Sequence, residues 1–228
     1  MVSYAQAGHG FRTGRGKLPA RGLFPGAPLA LLMFVLNVYG AAANELDTRV
    51  ERFLQQHRGS WHDLNVPEAD GRLLRDLVVR HGFTRALEIG TSTGHSTLWI
   101  AWGLSRSGGH LTTIEIDEQR LRRARENIRA AGLSDYVTFL QGNAHDLVPR
   151  LAGPFDFVFS DADKEWYTNY FKAVYPKLTD KACFTAHNVS SRWMSGIGEF
   201  LDYVKSMPDM ETTLNRDSSA GVSISCKK

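Results

Sequence analysis

The sequence predicts a doubly wound α/β fold with a mostly parallel, seven-stranded sheet and one antiparallel strand near the C-terminus. Two observations carry this prediction. Short apolar runs alternate with helical stretches at the spacing of strand–helix units, and this arrangement gives parallel strands covered by helices on both faces. The last two apolar runs are separated only by the turn-rich segment Asn215–Gly221, which predicts a hairpin and hence one antiparallel strand.

The elements follow from the chain in order. Helices are predicted around Leu46–His57 and from Glu68, the second with an apolar face made of Leu73, Leu74, Leu77 and Val78. The predicted strands are Arg85–Ile89, His110–Ile116, Tyr136–Gln141, Phe155–Phe159, Ala182–Ala186, Glu211–Leu214 and Val222–Cys226. The helices between them are Thr97–Leu104, Glu118–Ala131, Ala144–Leu151, Lys164–Tyr175 and Met194–Ser206. Residues 44–228 contain no internal repeat or low-complexity linker, so we expect them to form one domain.

Residues 1–43 have the layout of an export signal. A basic, acid-free region precedes the apolar run Ala27–Val38, and the small residues Gly40–Ala43 resemble a cleavage site. The run is short for a membrane span, which needs roughly 20 residues. We therefore expect a signal peptide or N-terminal membrane anchor outside the fold, with a disordered extension or a misjudged start codon as alternatives. The protein is accordingly expected to be exported or membrane-anchored, and otherwise cytoplasmic.

Charge and cysteine content argue against two classes of function. The chain has a net charge of +3, but four basic residues lie in the acid-free segment 1–43. The remainder is nearly neutral, which argues against a nucleic-acid surface, because such a surface needs clustered Lys and Arg. Cys183 and Cys226 do not make a disulfide framework and belong to no zinc motif. Cys183, inside an apolar run, is expected to pack as a small hydrophobic residue.

The turn after the first predicted strand, Gly90–Gly94, is a candidate ligand site. In open α/β sheets ligands bind beyond the carboxyl ends of the strands, and the first strand–helix turn is the usual place. A dinucleotide fingerprint reads G-x-G-x-x-G, whereas hydroxyl residues stand here between the two glycines. Gly94 is followed by His95, so the P-loop signature is absent as well. The turn therefore favours a ligand without phosphates.

An acidic residue ends the second predicted strand. Glu115 lies about two dozen residues after the glycine turn, where a carboxylate can accept hydrogen bonds from both hydroxyls of a ribose. Asp117 is expected instead to cap the helix that begins at Glu118. A ribose without a pyrophosphate indicates a nucleoside ligand.

These residues resemble a known family. The pattern E-x-G-x-x-x-G at Glu88–Gly94, followed by "IEID", resembles the class I S-adenosylmethionine-dependent methyltransferases. The segment "FDFVFSDADKEWYTNYF" (Phe155–Phe171) is similar to the cation-dependent O-methyltransferases, the group that contains catechol and caffeoyl-coenzyme A O-methyltransferases. The resemblance runs from about Asn65 to Lys228 and implies the Rossmann-like methyltransferase fold.

The resemblance also implies a set of cofactor contacts. The turn matches the family segment behind the methionine part of the cofactor, and Glu115 matches the acid on the ribose. Asn143–His145 falls where the family contacts adenine, although His145 also fits a solvated loop histidine. "LNVPEADG" (Leu64–Gly71) is similar to a segment that closes over the cofactor, but it equally fits a plain helix N-terminus. The predicted cofactor-binding residues are Asn65, Val66, Glu88, Gly90, Gly94, Ser96, Glu115, Ala144 and Asp161.

The resemblance assigns chemistry to Asp161 and Lys164. A phenolic hydroxyl has a pKa near 10, so it is a poor nucleophile at neutral pH. In the family a divalent cation held by carboxylates lowers that pKa and orients a vicinal diol. A nearby lysine can accept the proton or stabilise the phenolate, and alignment of the two reactants carries much of the rest.

His187 departs from the family pattern. The family's other two cation ligands are an Asp-Asn pair, and this chain has His187 and Asn188 there. The implied metal set is therefore Asp161, His187 and Asn188, and an imidazole suits zinc or manganese better than magnesium. A different metal, a weakened magnesium site, and no metal with His187 as general base all remain open. Compensation by Asp163 and an ordinary hydrogen-bonded histidine at a strand end are further alternatives.

Together these features predict an S-adenosylmethionine-dependent O-methyltransferase that acts on a small phenolic or catechol-like hydroxyl. Lys164 and His187 are the expected catalytic residues. The expected cofactors are S-adenosylmethionine and a divalent cation, whether magnesium, manganese or zinc. The alternatives are a metal-independent methyltransferase with His187 as base on a different small acceptor, and a non-catalytic nucleoside-binding module. A small phenolic substrate is the expected partner, with no nucleic acid, membrane contact only through the N-terminal segment, and a homodimer left open.

Overall fold

The computed structural model describes residues 29–228, with side chains from residue 43 onward. The chain divides into two units, Met1–Gly40 and Ala41–Lys228, and the second contains the whole sheet. The helices are α1 (Leu29–Gln56), α2 (Glu68–His81), α3 (His95–Leu104), α4 (Glu118–Ala131), α5 (Ala144–Arg150), α6 (Tyr167–Val174) and α7 (Ile197–Ser206). The strands are β1 (Arg85–Ile89), β2 (His110–Glu115), β3 (Val137–Gln141), β4 (Phe155–Ser160), β5 (Leu178–His187), β6 (Met210–Asn215) and β7 (Val222–Lys227).

In the described part of the chain, seven strands form one sheet in the order β3-β2-β1-β4-β5-β7-β6. Strands β1 to β5 are parallel, whereas β7 is antiparallel to both β5 and β6. This confirms the predicted fold class, including its single antiparallel strand. The reason is the length of the connections, because helical crossovers return the chain to a parallel strand and a short turn cannot. The strand order reverses between β1 and β4, which places a crevice at their carboxyl ends.

Each face of the sheet carries an apolar layer. Side chains alternate along the central strands, so Ala86 and Phe157 belong to one layer while Leu87 and Val158 belong to the other. All residues of α3 are buried, which agrees with the uninterrupted apolar run that follows its polar first turn. The strands between the layers are buried on both faces, as expected of a parallel sheet.

Several element boundaries differ from the prediction. β5 begins at Leu178 and ends at His187, so it is longer at both ends than its apolar run Ala182–Ala186. The predicted helix Lys164–Tyr175 is split into a 3₁₀ turn, Lys164–Trp166, followed by α6. The last predicted helix begins only at Ile197, after Gly196 in a left-handed conformation. These ends depend on capping and turn geometry, which apolar periodicity does not report.

Cys183 is buried in an apolar layer, as expected of a small hydrophobic residue, but its sulfur is also bonded to Cys226, which the sequence analysis did not predict. Cys183 and Cys226 are directly opposite each other on the antiparallel strands β5 and β7 and form a disulfide. The two cysteines are 43 residues apart in sequence, so no local pattern indicated that they pair. The pairing follows from the register of the hairpin strand against β5, which only the folded sheet defines.

The predicted export segment, residues 1–43, lies largely outside the described residues. α1 begins at Leu29, so it starts earlier than the helix predicted around Leu46–His57. Val50 and Phe53 of α1 pack into the apolar layer that contains Ala86. Within residues 29–228 no helix combines the length and apolar character that crossing a bilayer requires.

Gly71 allows α2 to approach α3 closely. A Cβ atom added at this position would lie 2.2 Å from Cδ1 of Trp99, inside the van der Waals contact distance. Trp99 is buried, and its indole N–H donates to Nε2 of His95 at 3.0 Å, so the ring is held in place. The close contact sets the position of the first turn of α2, which carries Asp70.

We expect Gly71→Ala to destabilise the protein by about 1–3 kcal/mol, the usual cost of overpacking a core. At an ordinary helical site the same change stabilises by about 0.5–1 kcal/mol, so the sign distinguishes the two cases. Urea unfolding of the wild type, Gly71→Ala and the exposed α2 variant Asp76→Ala measures the difference. Equal or greater stability of Gly71→Ala would contradict the close-packing account.

Candidate functional site

A cavity of about 500 Å³ opens where the strand order reverses. Its wall includes residues that follow or end β1, β2, β4 and β5, and its size is typical of a site for a small molecule. Eight of the twelve predicted site residues line it: Asn65, Gly90, Glu115, Ala144, Asp161, Lys164, His187 and Asn188. The lining that the sequence analysis did not single out includes Leu64, Ile116, Arg120 and Tyr170.

The glycine turn brings the ends of β1 and β4 together. Gly90 has a φ of +101°, and a Cβ atom there would lie 2.8 Å from the carbonyl oxygen of Asp161. The N–H of Asp161 donates to the carbonyl of Ile89 at 2.8 Å, which ties the two strand ends. Gly90 is therefore required by the close approach of two backbones, and the resulting turn lines the cavity.

Glu115 is held at the cavity wall by the backbone. Its Oε2 accepts the N–H of Ser92 at 2.8 Å, and its Oε1 accepts the N–H of Asp117 at 2.9 Å. Each carboxylate oxygen can accept more than one hydrogen bond, so acceptor capacity remains for a ligand. Asp117 caps α4 by accepting the N–H of Arg120, as predicted. The glycine turn and the acid are thus one hydrogen-bonded unit.

Glu88 has a structural role that the resemblance did not imply. It is fully buried behind the turn, and the hydroxyls of Ser96, Thr97 and Thr113 donate to its carboxylate at 2.5, 2.5 and 2.6 Å. Burial raises its pKa to about 7, although the three hydroxyl donors oppose that rise. Glu88 therefore fixes β1, α3 and β2 to one another and does not line the cavity.

Val66, Gly94 and Ser96 were also predicted to contact the cofactor, and the structure places them behind the cavity wall. The carbonyl oxygen of Val66 lies 2.8 Å from Nδ1 of His95, while Ser96 points at Glu88. Gly94 packs against Ala124 of α4. The contacts of these three residues are made inside the protein. They therefore hold the glycine turn in place and do not face the cavity.

The segment before α2 covers one side of the cavity. The amide of Asn65 donates to Thr93 Oγ1 at 2.6 Å, and its side-chain oxygen accepts the N–H of His95 at 3.2 Å. Arg120 pairs with Asp63 through Nη2 at 2.7 Å, which links the segment to α4. Asn65 is thus both a cavity residue and an anchor, whereas Leu64 is 75% exposed at the cavity.

Ala144 and its neighbours line another part of the cavity wall. The side chain of Asn143 caps α5 by accepting the N–H of His145. His145 stacks on Trp166 with a centroid distance of 3.7 Å, and its Nε2 lies 3.2 Å from Asp163. Asp163 also accepts the N–H of Glu165. Asp163 is thus committed to local contacts, and His145 packs on an aromatic ring instead of lying free in solvent.

Lys164 and Asp161 form an ion pair inside the cavity. Asp161 follows β4, and Lys164 opens the 3₁₀ turn that precedes α6. The Nζ of Lys164 donates to Oδ1 of Asp161 at 2.8 Å and to the carbonyl of Ala162 at 3.1 Å. The pair places an ammonium group in the wall of the cavity, as the motif predicted.

His187 is held by carboxylates on both sides. Its Nδ1 lies 3.1 Å from Oδ2 of Asp161, and its Nε2 lies 2.9 Å from Oδ2 of Asp70. A carboxylate only accepts hydrogen bonds, so both ring nitrogens donate. Burial would lower the pKa of His187, but the hydrogen bonds and charges of Asp161 and Asp70 outweigh it and raise the pKa to about 9.

This geometry bears on two predictions for His187, its role as a metal ligand and its role as a general base. A ring with both nitrogens bound to carboxylates has no lone pair for a metal ion, so Asp161, His187 and Asn188 do not fit the predicted metal site. In the described residues no three His, Cys, Asp or Glu side chains converge to hold a metal. The same protonation leaves the ring unable to act as a general base. The interpretation that fits is the hydrogen-bonded histidine at a strand end.

Asp70 is the site residue that the sequence analysis missed. It lies in the first turn of α2, fully buried, and its Oδ2 also accepts the hydroxyl of Ser218 at 2.7 Å. Its other oxygen, Oδ1, is buried without a hydrogen-bond partner. The signal was present, because Asp70 shares the helical face of Leu74 and Leu77. An acid on an apolar face needs a buried partner, but the pattern does not name one.

The chain is similar in sequence to known methyltransferases. Residues 87–189 match the family model described as "Methyltransferase domain". A catechol O-methyltransferase of Niastella koreensis is 40% identical over 113 residues, which cover 48% of this chain and 51% of that protein. A caffeoyl-CoA O-methyltransferase of Populus kitakamiensis is 30% identical over 158 residues, covering 67% of this chain and 66% of that protein.

A solved structure gives the same relationship over a greater length. The O-methyltransferase from Bacillus cereus, in complex with SAH (S-adenosylhomocysteine), superimposes with a TM-score of 0.69 at 30% identity. The match covers 79% of this chain and 91% of that one. By sequence, the chain spans about half the length of the Niastella relative.

Glu88 generates a pH-dependent prediction for stability. The folded state keeps the Glu88 proton up to about pH 7 and the unfolded state loses it near 4.5, so stability falls as pH rises between these values. Glu88→Gln does not titrate, and its stability relative to wild type should improve by up to about 3 kcal/mol from pH 4.5 to 7.5. Urea unfolding at several pH values measures this, with the exposed variant Glu199→Gln as control. Parallel pH profiles for wild type and Glu88→Gln would contradict the assignment.

Proposed function

Because the chain belongs to the S-adenosylmethionine-dependent O-methyltransferases, in the group of catechol and caffeoyl-coenzyme A O-methyltransferases, we propose that it methylates a phenolic hydroxyl of a small molecule. One observation carries the proposal. The carboxylate of Glu115 and the ammonium group of Lys164 line the same cavity, at the crevice where the strand order reverses. The first group suits a nucleoside and the second suits an oxyanion.

The side of the cavity at β1 and β2 fits S-adenosylmethionine. Glu115 is held by two backbone N–H groups and retains acceptor capacity for the two hydroxyls of a ribose. Gly90 leaves the turn open where a side chain would project against Asp161. The cofactor has no phosphate, which agrees with a turn that lacks the second glycine of a dinucleotide site.

The side of the cavity at β4 and β5 fits the acceptor. When bound, S-adenosylmethionine supplies an electrophilic methyl group on sulfur. The ammonium group of Lys164 stabilises the phenolate that forms when the acceptor hydroxyl releases its proton to the buffer. Transfer of that methyl group would form the O–CH₃ bond as the S–CH₃ bond breaks, and would leave the methylated acceptor and S-adenosylhomocysteine. The fixed walls contribute by aligning the two reactants.

Apolar side chains at the cavity favour an aromatic acceptor. Leu64 and Ile116 are exposed although both line the cavity, and Tyr170 adds an aromatic ring to the wall. Trp193 and Met194 are exposed in the loop that follows β5. Exposed hydrophobic groups of this kind commonly mark a site for an apolar ligand.

The direct experiment is transfer of a labelled methyl group from S-adenosylmethionine to a panel of small acceptors, with product identified by mass spectrometry. We expect methylation of phenols, with catechols in the panel, and none of matched compounds whose hydroxyl is already methylated. Binding of S-adenosylhomocysteine without turnover of any acceptor would favour the non-catalytic nucleoside-binding module instead.

Export or membrane anchoring through residues 1–43 is a further part of the proposal. The disulfide between Cys183 and Cys226 supports it, because disulfides persist mainly in oxidising compartments. Sequencing the N-terminus of the protein purified from its native source tests the proposal. Cleavage near residue 43 is expected of a signal peptide, whereas an intact N-terminus in the membrane fraction is expected of an anchor.

Glu115→Ala should weaken the binding of S-adenosylhomocysteine by about 1.5–3 kcal/mol, the scale of hydrogen bonds to a charged group. This corresponds to roughly 10- to 100-fold in Kd. Calorimetry on wild type, Glu115→Ala and the exposed α4 variant Glu118→Ala measures the effect. Unchanged affinity in Glu115→Ala would contradict the assignment of Glu115 to the ribose. Thermal stabilisation of the protein by nicotinamide dinucleotides, without any by S-adenosylhomocysteine, would contradict the assignment of S-adenosylmethionine as the cofactor.

Lys164→Met keeps most of the length of the side chain but removes its charge. We expect kcat to fall by about 10²–10⁴-fold, the range for a group that acts directly on the reacting proton or oxyanion. The affinity for S-adenosylhomocysteine should stay close to that of wild type, because Lys164 is assigned to the acceptor side. Steady-state kinetics and calorimetry separate the two effects, with the exposed α6 variant Lys172→Met as control. A loss confined to cofactor affinity would count against the assignment.

A further inference from the structure

Four side chains form one continuous chain of contacts from α2 to the cavity. Asp70, His187, Asp161 and Lys164 alternate in charge, and the successive distances are 2.9, 3.1 and 2.8 Å. The side chains of Asp70, His187 and Asp161 are 1, 4 and 9% exposed. Lys164, at the end of the chain of contacts, is 23% exposed and lines the cavity.

This arrangement leaves no lone pair on the ring of His187 for a metal ion. Oδ1 of Asp161 accepts from Lys164, and its Oδ2 accepts from His187. Oδ2 of Asp70 accepts from His187 and from Ser218, while both nitrogens of His187 are used as donors. A divalent cation bound by His187 would have to displace one of its two carboxylate partners, because one imidazole cannot both donate to two carboxylates and ligate a metal.

The charges explain why the contacts persist. An isolated buried carboxylate is strongly unfavourable, and two neighbouring ones also repel each other. In a site with a divalent cation the metal supplies the compensating charge. Here His187 lies between the carboxylates of Asp70 and Asp161, and Lys164 balances the second of them.

We propose that His187 replaces the divalent cation of the family as a built-in cation, and that Asp70 is a positioning residue that holds it there. Asp70 fixes the ring of His187, His187 fixes the carboxylate of Asp161, and Asp161 places the ammonium group of Lys164 at the acceptor. The active protein thus needs no added metal. The effect on turnover rests on the proposed function, whereas the exclusion of the cation does not.

The first test measures cation binding alone. Wild-type protein titrated with Mn²⁺ and followed by the electron paramagnetic resonance of the free ion should show no saturable site up to millimolar concentration. His187→Asp places a third carboxylate beside Asp70 and Asp161, so it should acquire one Mn²⁺ site, since hard cations prefer oxygen ligands. His81→Asp, an exposed change in α2, controls for added surface charge. One stoichiometric site in wild type would overturn the proposal, even if His187→Asp does not fold.

The second test observes the ring of His187 directly. In ¹H–¹⁵N spectra of wild type at pH 7.5, both ring nitrogens of His187 should carry a slowly exchanging proton. In Asp70→Asn the proton on Nε2 should exchange rapidly, whereas the exposed α2 variant Asp76→Asn should match wild type. A singly protonated ring in wild type would overturn the proposal without reference to catalysis.

The third test separates positioning from a merely structural role. Asp70→Asn should lower kcat at least tenfold, leave KM for S-adenosylmethionine unchanged, and be partly rescued in Asp70→Glu. Wild-type turnover should be the same with and without a chelator. Unchanged kcat in Asp70→Asn, or loss of wild-type activity with the chelator, would overturn the proposal. If no acceptor is methylated by wild type, the proposed function fails, and the Mn²⁺ and ring measurements still decide this inference.

Discussion

The site depends on how the charge of two buried carboxylates, Asp70 and Asp161, is compensated. Burying an ion away from water costs several kcal/mol, and removing one partner of a buried pair is strongly destabilising. His187 lies between the two acids and Lys164 adjoins the second. The fold supplies this geometry from four places: the first turn of α2, the ends of β4 and β5, and the 3₁₀ turn before α6. Gly71 contributes indirectly, because it lets α2 pack close to Trp99.

Local pattern was sufficient for the fold and for half of the site. Apolar runs and their spacing identified all seven strands of the described sheet, and the short final turn identified the antiparallel one. Glu115 was found because an acid at a strand end after a glycine turn has few structural uses. Lys164 and Asp161 were found because the "DADKEWY" segment is specific. In each case the informative residues are close together in sequence or lie at strand ends, which a parallel sheet brings to one edge.

The other half of the site could not be read from the sequence, because its contacts join distant segments. Asp70 lies 117 residues from His187 and 148 residues from Ser218. Periodicity places Asp70 on the buried face of α2, but it cannot say which side chain it meets there. For the same reason the pairing of Cys183 with Cys226 was not predicted. Glu88 was predicted to contact the cofactor, whereas its carboxylate accepts hydrogen bonds from three hydroxyl groups. The substitution at His187 was visible, yet its meaning depended on a partner from another element.

The hydroxyl of Ser218 gives the C-terminal hairpin a consequence for biosynthesis. Ser218 lies between β6 and β7 and donates to Asp70, near the start of the folded part of the chain. A ribosome makes the glycine turn, Glu115 and the segment Asn143–His145 well before it makes Ser218. A nascent chain can therefore form the glycine turn and place Glu115 first, whereas Asp70 gains its contact with Ser218 only after the segment between β6 and β7 has been made. Completion of the contacts around Asp70 is thus a long-range event that follows the formation of the local turns.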